Sequence, residues 1–236
     1  MSVSVLVISG GDMADPDRIG RDMREYSSPV LVCADGGARY AAAAGVVPAA
    51  VIGDMDSVDA ELLSYYESRG SVVIRYPVSK NETDTELALR YALSLEPKEI
   101  RLYAALGGRI DHTLANISLL SSSMLRCVDT RIIDDRGELF AVDDRAVVRG
   151  STGQTVSLLP LTTEVSGITL EGFEYPLCEA TMEPGRPYGI SNRLAGTEGR
   201  IQVRSGRLLV IHYSDAGGEA GAVSYTHLTL PTKRIV

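Results

Sequence analysis

The chain has 236 residues, of which 44% are hydrophobic and 23% charged, and a net charge of -8. That balance suits a soluble globular protein of one large or two small domains with a proper core. The negative charge argues against nucleic-acid or anionic-membrane partners, so an anionic substrate would be held by local Arg, Lys, backbone N–H groups or a metal.

As far as about residue 135 the text alternates strand-like and helix-like segments. Strands are expected at 3–9, 29–34, 50–52, 71–75, 99–106 and 131–134, and helices at 15–27, 38–44, 59–69, 83–95 and 111–125. Gly45 and Gly70 stand where two of those helices stop. Such alternation predicts a Rossmann-like α/β domain with a mostly parallel sheet covered by helices. The first apolar run is too short for a signal peptide and has no basic flank, and no stretch approaches a membrane span. Cys33, Cys127 and Cys178 form neither a metal-ligand spacing nor an even disulfide set, which fits a reducing cytoplasm. Cys33 reads as a buried small hydrophobe.

The pattern changes after residue 135. Short runs rich in Val, Ile, Leu and Thr at 138–142, 146–148, 155–159, 167–170, 199–203 and 207–213 predict an antiparallel sandwich or barrel. The expected boundary is the Asp134-Asp135-Arg136-Gly137 turn, dividing an α/β domain (1–137) from a β-sandwich (138–215). Residues 216–236 open on a glycine-rich stretch and share no pattern with what precedes them. They read as an unstructured tail of translated adapter sequence and are set aside.

Four strand-to-helix junctions carry the chemistry. In Ile52-Gly53-Asp54-Met55-Asp56-Ser57, an extended backbone would point Asp54 and Asp56 the same way, toward one ion. Carboxylates held this close raise each other's pKa unless a cation sits between them, and Mg²⁺ takes oxygen ligands and arrives with phosphates. The other reading is an Asp-Ser turn without a ligand. Asp35-Gly36-Gly37 follows a buried strand and opens a helix, which suits either an anion against the backbone or a tight turn. In the run 79–86, Thr83 and Glu86 have capping-box spacing, Asp84 takes the first helical position, and Lys80 is within reach of a phosphate. In Gly107-Gly108-Arg109-Ile110-Asp111-His112, Arg109 suits a phosphate fork and Asp111 a helix cap, with Leu114, Ile117 and Leu125 facing inward. His112 reads as a helix-surface residue. Together the junctions put Asp35, Asp54, Asp56, Asp84 and Asp111 at one sheet edge with a lysine and an arginine, which points to a metal and a polyphosphate. The chain has no P-loop, nucleophile elbow, His-Glu-x-x-His or Cys-x-x-Cys.

The ordered set Ala34–Ala38, Ile52–Ser57, Thr83–Leu89 and Gly107–Asn116, continued by Val156–Leu161, Gly167–Leu177 and Gly189–Asn192, resembles the thiamine pyrophosphokinase family over about residues 3–215. The resemblance implies a catalytic α/β domain, a thiamine-binding β-sandwich and a homodimer with a composite active site. It also implies Mg²⁺-dependent transfer of pyrophosphate from ATP to the thiamine hydroxyl, leaving AMP. On that basis Asp54, Asp56 and Asp84 are assigned to Mg²⁺ and its waters, one of them doubling as the base. Lys80, Arg109 and the Gly107-Gly108 backbone are assigned to the triphosphate. Asp35, Gly36, Gly37, Thr83 and Asp111 would position ATP or brace the site, and Ser191 and Asn192 would bind thiamine. Arg39 and Asn81 depart from the family's usual Asn and Asp. The competing expectations are a kinase for another small alcohol and a catalytically silent nucleotide or thiamine sensor.

Overall fold

The computed structural model describes residues 3–214, so the expectation for residues 216–236 lies outside the described residues. In chain order the strands and helices are β1 (Val3–Ile8), α1 (Asp17–Met23), β2 (Pro29–Ala34), α2 (Ala38–Ala43), β3 (Ala50–Gly53), α3 (Ala60–Ser68), β4 (Val72–Arg75), α4 (Asp84–Ser94), β5 (Pro97–Tyr103), α5 (Ile110–Leu119) and β6 (Asp129–Asp134). The strands β7 (Gly137–Val142), β8 (Arg145–Arg149), β9 (Thr155–Pro160), β10 (Val165–Glu171), β11 (Leu177–Met182), β12 (Asn192–Arg193), β13 (Glu198–Gln202) and β14 (Leu208–Tyr213) follow. The fold is α/β with a mostly parallel sheet in the N-terminal part and antiparallel strands in the C-terminal part.

Strands β1 to β6 run parallel in the order β4-β3-β2-β1-β5-β6, so the order reverses at β1. Alternation along β1 sorts the two faces. Val5 and Val7 enter a core with Leu87, Ala88, Leu89 and Ala92 of α4. Leu6 and Ile8 enter a second core with Ile19 of α1, Ala38 and Ala41 of α2, and Leu63 and Tyr66 of α3. Cys33 is fully buried in that second core, and burial pushes its thiol pKa far above the usual range.

The turn at 134–137 is no linker. It closes a hairpin in which β7 pairs antiparallel with β6, and the sheet runs on through β14 and β9 to β12, ten strands in all. A separate four-stranded sheet, β11-β10-β13-β8, makes a sandwich with this extension. On β7, Leu139 joins the first α/β core while Phe140 and Val142 join the sandwich core. Along β14, Leu209 faces the first of these cores and Leu208 and Val210 the second.

Three expectations need correction. The strand at 99–106 ends at Tyr103, because Ala104 adopts φ +49° and turns the chain out of the sheet. The helix at 111–125 begins at Ile110 and ends at Leu119; three-residue-back bonds from Leu120, Ser121 and Ser122 tighten its end, and a 3₁₀ turn over Ser123–Leu125 follows. In this register Asn116 is buried and Leu114 is exposed, not inward. The strands β11 and β12 carried no signal, since β11 is mostly exposed and β12 is two residues long. Among the described residues, no helix is long and apolar enough to cross a membrane.

Candidate active site

At the carboxyl edge of the parallel strands, beside the reversal at β1, the loops after β1, β2, β3 and β5 meet the first turn of α4, the place where open α/β sheets bind ligands. After β2 the chain tightens at once into a 3₁₀ turn, Asp35–Gly37, with Asp35 at φ +40° and buried. After β3, Gly53 allows close approach: a Cβ there would lie 2.8 Å from Asp35 Cβ and 3.2 Å from the Asp84 carboxylate. Thr83 caps α4, its hydroxyl oxygen accepting the Glu86 N–H at 3.2 Å, and Asp84 follows as the first helical residue. The reciprocal half of the capping box is not made, because the Glu86 carboxylate turns to Arg90 at 2.8 Å. Buried Ser9 and Thr85 share a 2.6 Å hydroxyl hydrogen bond that ties this turn to the end of β1.

The result is three carboxylates, Asp35, Asp54 and Asp84, each offering an oxygen within 4.8 Å of the others. Lys80 Nζ lies 3.3 Å from Asp54 Oδ2 and 2.9 Å from Asp84 Oδ1. Asp35 Oδ1 is buried without a donor, and buried Asp84 Oδ1 has only the Lys80 ammonium beside it. Burial, with the neighbouring Asp84 and Asp56 charges adding to it, pushes the Asp35 carboxyl pKa up. Burial also works against ionisation of Asp54, but the Asp56 N–H and Lys80 outweigh it and hold its pKa below the usual carboxylate value. For Lys80, burial is outweighed by Asp84 and Asp54, which hold the ammonium pKa above its usual value. One ammonium cannot neutralise three carboxylates. An all-oxygen donor set with orphaned, buried lone pairs fits a hard divalent cation.

Asp56 stands outside this group. Met55 adopts φ +65°, so the backbone is not extended between the two aspartates, and Asp56 is not among the three carboxylates that converge. Asp56 is exposed and accepts a 2.7 Å hydrogen bond from the Ser57 hydroxyl, while its N–H donates to Asp54 Oδ1 at 3.3 Å. Asp35, assigned from sequence to ATP, occupies the third position instead.

The opposite side of the site is two loops laced together. Gly11 N–H donates to the Ala104 carbonyl at 2.7 Å, Asp12 N–H to the Leu106 carbonyl at 2.8 Å, and Gly108 N–H to Asp12 Oδ2 at 2.7 Å. Gly107 has φ +82°, and a Cβ there would collide with the Asp12 side chain. Buried Asn116 donates to the Ala105 carbonyl at 2.8 Å, and the Thr113 hydroxyl to the Gly107 carbonyl at 3.2 Å. The Gly108 N–H is therefore spent on Asp12, not open to a phosphate. Sequence reasoning gave Ser9, Asp12 and Asn116 no role, although Gly10-Gly11-Asp12 ends a strand at the same edge and resembles the other junctions. Arg109 and Asp111 are exposed and paired through two contacts, at 3.1 and 2.5 Å, and Arg109 holds the Asp111 carboxyl pKa down. His112 and Asn81 are exposed. Arg39 donates to the Gly10 carbonyl at 3.2 Å and lies 4.9 Å from the centre of the Tyr40 ring.

The two sandwich residues differ sharply. Asn192 is buried; its amide donates to the Tyr175 carbonyl at 2.8 Å and accepts from Tyr175 N–H at 3.0 Å and Arg193 N–H at 2.8 Å. Ser191 is exposed at φ +59°, with its N–H donating to Ser157 Oγ at 3.0 Å. The segment just before it lines an open hollow of about 630 Å³ with Arg186, Pro187 and Tyr188.

Residues 24–132 match the family model described as thiamin pyrophosphokinase, catalytic domain, and residues 144–208 the model described as thiamin pyrophosphokinase, vitamin B1 binding domain. The thiamine pyrophosphokinase of Bacillus subtilis is 27% identical over 216 residues, covering 90% of this chain and 99% of its own, and its crystal structure superposes with a TM-score of 0.79. The crystal structure of thiamin pyrophosphokinase from Geobacillus thermodenitrificans is 28% identical, with a TM-score of 0.77 and coverage of 90% and 98% of the two chains. Thiamine pyrophosphokinase 1 of Arabidopsis thaliana is 29% identical over 171 residues, 67% of this chain and 62% of the relative. Both family models fall in order along one chain whose fold the Bacillus subtilis and Geobacillus thermodenitrificans structures share over 90% of its length, and this protein belongs to the thiamine pyrophosphokinase family.

Proposed function

We propose that the protein transfers pyrophosphate from ATP to the hydroxyl of thiamine in a Mg²⁺-dependent reaction, giving thiamine diphosphate and AMP. The observation that carries this reading is the Asp35–Asp54–Asp84 group, three carboxylates around one ammonium with Asp35 Oδ1 buried and donorless. Asp35, Asp54 and Asp84 would hold Mg²⁺, which supplies positive charge against the polyphosphate oxygens as the transfer develops negative charge there. Lys80, braced by two carboxylates, keeps its proton and presents a fixed cation to the same oxygens. Arg109 at the head of α5 is free to leave its exposed partner Asp111 for the triphosphate, since exposed pairs hold weakly. Gly36, Gly37 and Thr83 line the approach to the nucleotide. In the transfer the thiamine hydroxyl oxygen bonds to the β-phosphorus, the bond from that phosphorus to the α–β bridging oxygen breaks, and AMP leaves. Asp56, exposed beside the group, takes the hydroxyl proton.

Residues 1–137 form the catalytic unit on this reading and 138–215 the thiamine-binding unit. Ser191 contacts thiamine, and Asn192 holds the loop that presents it. The strand order supports a homodimer with a composite site. β12 is eight strand steps from β3 in the sheet, which at about 4.8 Å per step is on the order of 35–40 Å, far more than one thiamine spans. A net charge of -8 agrees with small soluble substrates and with cytoplasmic work without nucleic acid or membrane partners.

Incubation with ATP, Mg²⁺ and thiamine followed by product identification tests the proposal. AMP formed one-for-one with thiamine diphosphate is the expected result. ADP as the product would make the protein a simple kinase, and tight binding without turnover a sensor.

A further inference from the structure

At the opposite, amino-terminal edge of the parallel strands, a cavity of about 290 Å³ opens under the end of α5, beside the start of β6 and the end of β7. Its wall includes Leu120, Leu125, Arg126, Cys127, Asp143 and Arg207. Arg207 is 6% exposed, so its guanidinium is almost wholly withdrawn from water. Nη1 donates to the Ser122 carbonyl at 2.8 Å. Nε is sealed from solvent without a partner, and among the described residues Nη2 has none either. Nη2 is therefore the guanidinium donor left for a carboxylate or phosphate oxygen entering the cavity.

Among the described residues no carboxylate pairs directly with this guanidinium. Asp143 Oδ2 lies 3.3 Å from Arg126 Nε and is committed there. Asp129, also in the wall, is held between Arg101 at 3.1 Å and Arg131 at 3.2 Å. The wall's own charges cancel, Arg126 and Arg207 against Asp129 and Asp143, but both carboxylates are engaged by other arginines and Arg207 forms no ion pair among the described residues. Burial, and Arg126 beside it, lower the Arg207 pKa, with Asp143 opposing them. A buried guanidinium without a direct anionic partner is costly to a fold unless something compensates it.

We propose that this cavity is a binding site for a small oxyanion, a phosphate or carboxylate group, received by Nη2 of Arg207 and by Arg126 at the mouth. The phosphate and carboxylate sources share this chemistry and are separated by the probes. The site is distinct from the carboxylate group proposed for catalysis, which lies at the other end of the strands.

Cys127 in the cavity wall is a built-in reporter, because it is exposed while Cys33 is buried. In a Cys178→Ser background the only other exposed thiol among the described residues is removed, and alkylation of Cys127 can be followed by mass spectrometry of its peptide. Inorganic phosphate or citrate, added at constant ionic strength with a chelator present, should slow alkylation at least threefold and saturably relative to chloride. Protection by phosphate alone identifies a phosphate site, and by citrate alone a carboxylate site. Arg126→Gln, at an exposed position, should weaken the apparent affinity several-fold, and Arg207→Met should abolish protection. If Arg207→Met does not fold, the unsubstituted arginines and Arg126→Gln still decide the matter. An alkylation rate independent of both anions up to tens of millimolar, or protection unchanged in Arg126→Gln, overturns the proposal.

Discussion

Asp54→Asn separates a metal-binding role from a structural one because the two predict opposite changes in stability. The substitution keeps Oδ1 as acceptor for the Asp56 N–H and removes one negative charge. At an effective dielectric of about 20, each repulsion across 4.8 Å amounts to about 3.5 kcal/mol and the 3.3 Å attraction to Lys80 to about 5 kcal/mol. Losing two repulsions and one attraction therefore favours the metal-free variant by about 2 kcal/mol before solvent screening, and by about 1 kcal/mol after it. For a chain of this size that is a rise of roughly 2–4 °C in Tm in the presence of a chelator. Mg²⁺ should raise the Tm of the wild type in a concentration-dependent way and leave the variant almost unmoved. Turnover, measured as AMP formed per thiamine consumed, should fall by about 10²–10⁴. A variant that melts lower in chelator, yet responds to Mg²⁺ as the wild type does, would refute the reasoning and make Asp54 a turn residue.

The raised pKa of Asp35 sets a pH dependence of opposite sign to that of an ordinary surface carboxylate. Its folded pKa lies above its unfolded one, so the folded state binds the extra proton between the two, and stability rises as pH falls from neutral toward the usual carboxylate pKa. Asp35→Asn should remove that component, seen as a smaller difference between urea midpoints at pH 7 and pH 5 with a chelator present. Asn192→Ala breaks three hydrogen bonds of a buried amide and should cost about 2–4 kcal/mol in urea unfolding, whereas exposed Ser191→Ala should cost less than about 0.5 kcal/mol and act on the KM for thiamine. Mixed dimers of Ser191→Ala and Asp54→Asn should recover part of the activity that Asp54→Asn loses; heterodimers shown to form but no more active than the two parents would mean that each chain builds its own site.

Much of the α/β half was legible because its signals are local. Thr83 before an acidic first turn, Gly45 and Gly70 at φ +67° and +92° after helices, and short β-branched runs each mark an element boundary within a residue or two. The junction residues were legible as a set for the same reason, since each follows a strand. What failed depended on backbone turns that residue type does not announce. Met55 and Ala104 both take positive φ without being glycine or asparagine, and these two residues decide that Asp56 leaves the carboxylate group and that β5 stops early. Likewise, the lacing of Asp12 to Gly108 joins loops 96 residues apart, which no short window reveals. The continuation of one sheet past residue 137 was hidden because a hairpin turn and a domain boundary are written with the same residues.

The position of β14 has a consequence for how the molecule is made. The last described strand lies in the interior of the extended sheet, paired along its whole length with β7 on one side and from Leu208 to His212 with β9 on the other. While a ribosome is still upstream of Leu208, β7 and β9 each offer a bare edge and have no direct pairing with each other in the finished order. Synthesis from the N-terminus can complete the six parallel strands early, but the sandwich closes only when its keystone emerges. A chain cut short before β14 is therefore an open-edged, self-associating species, not a smaller enzyme.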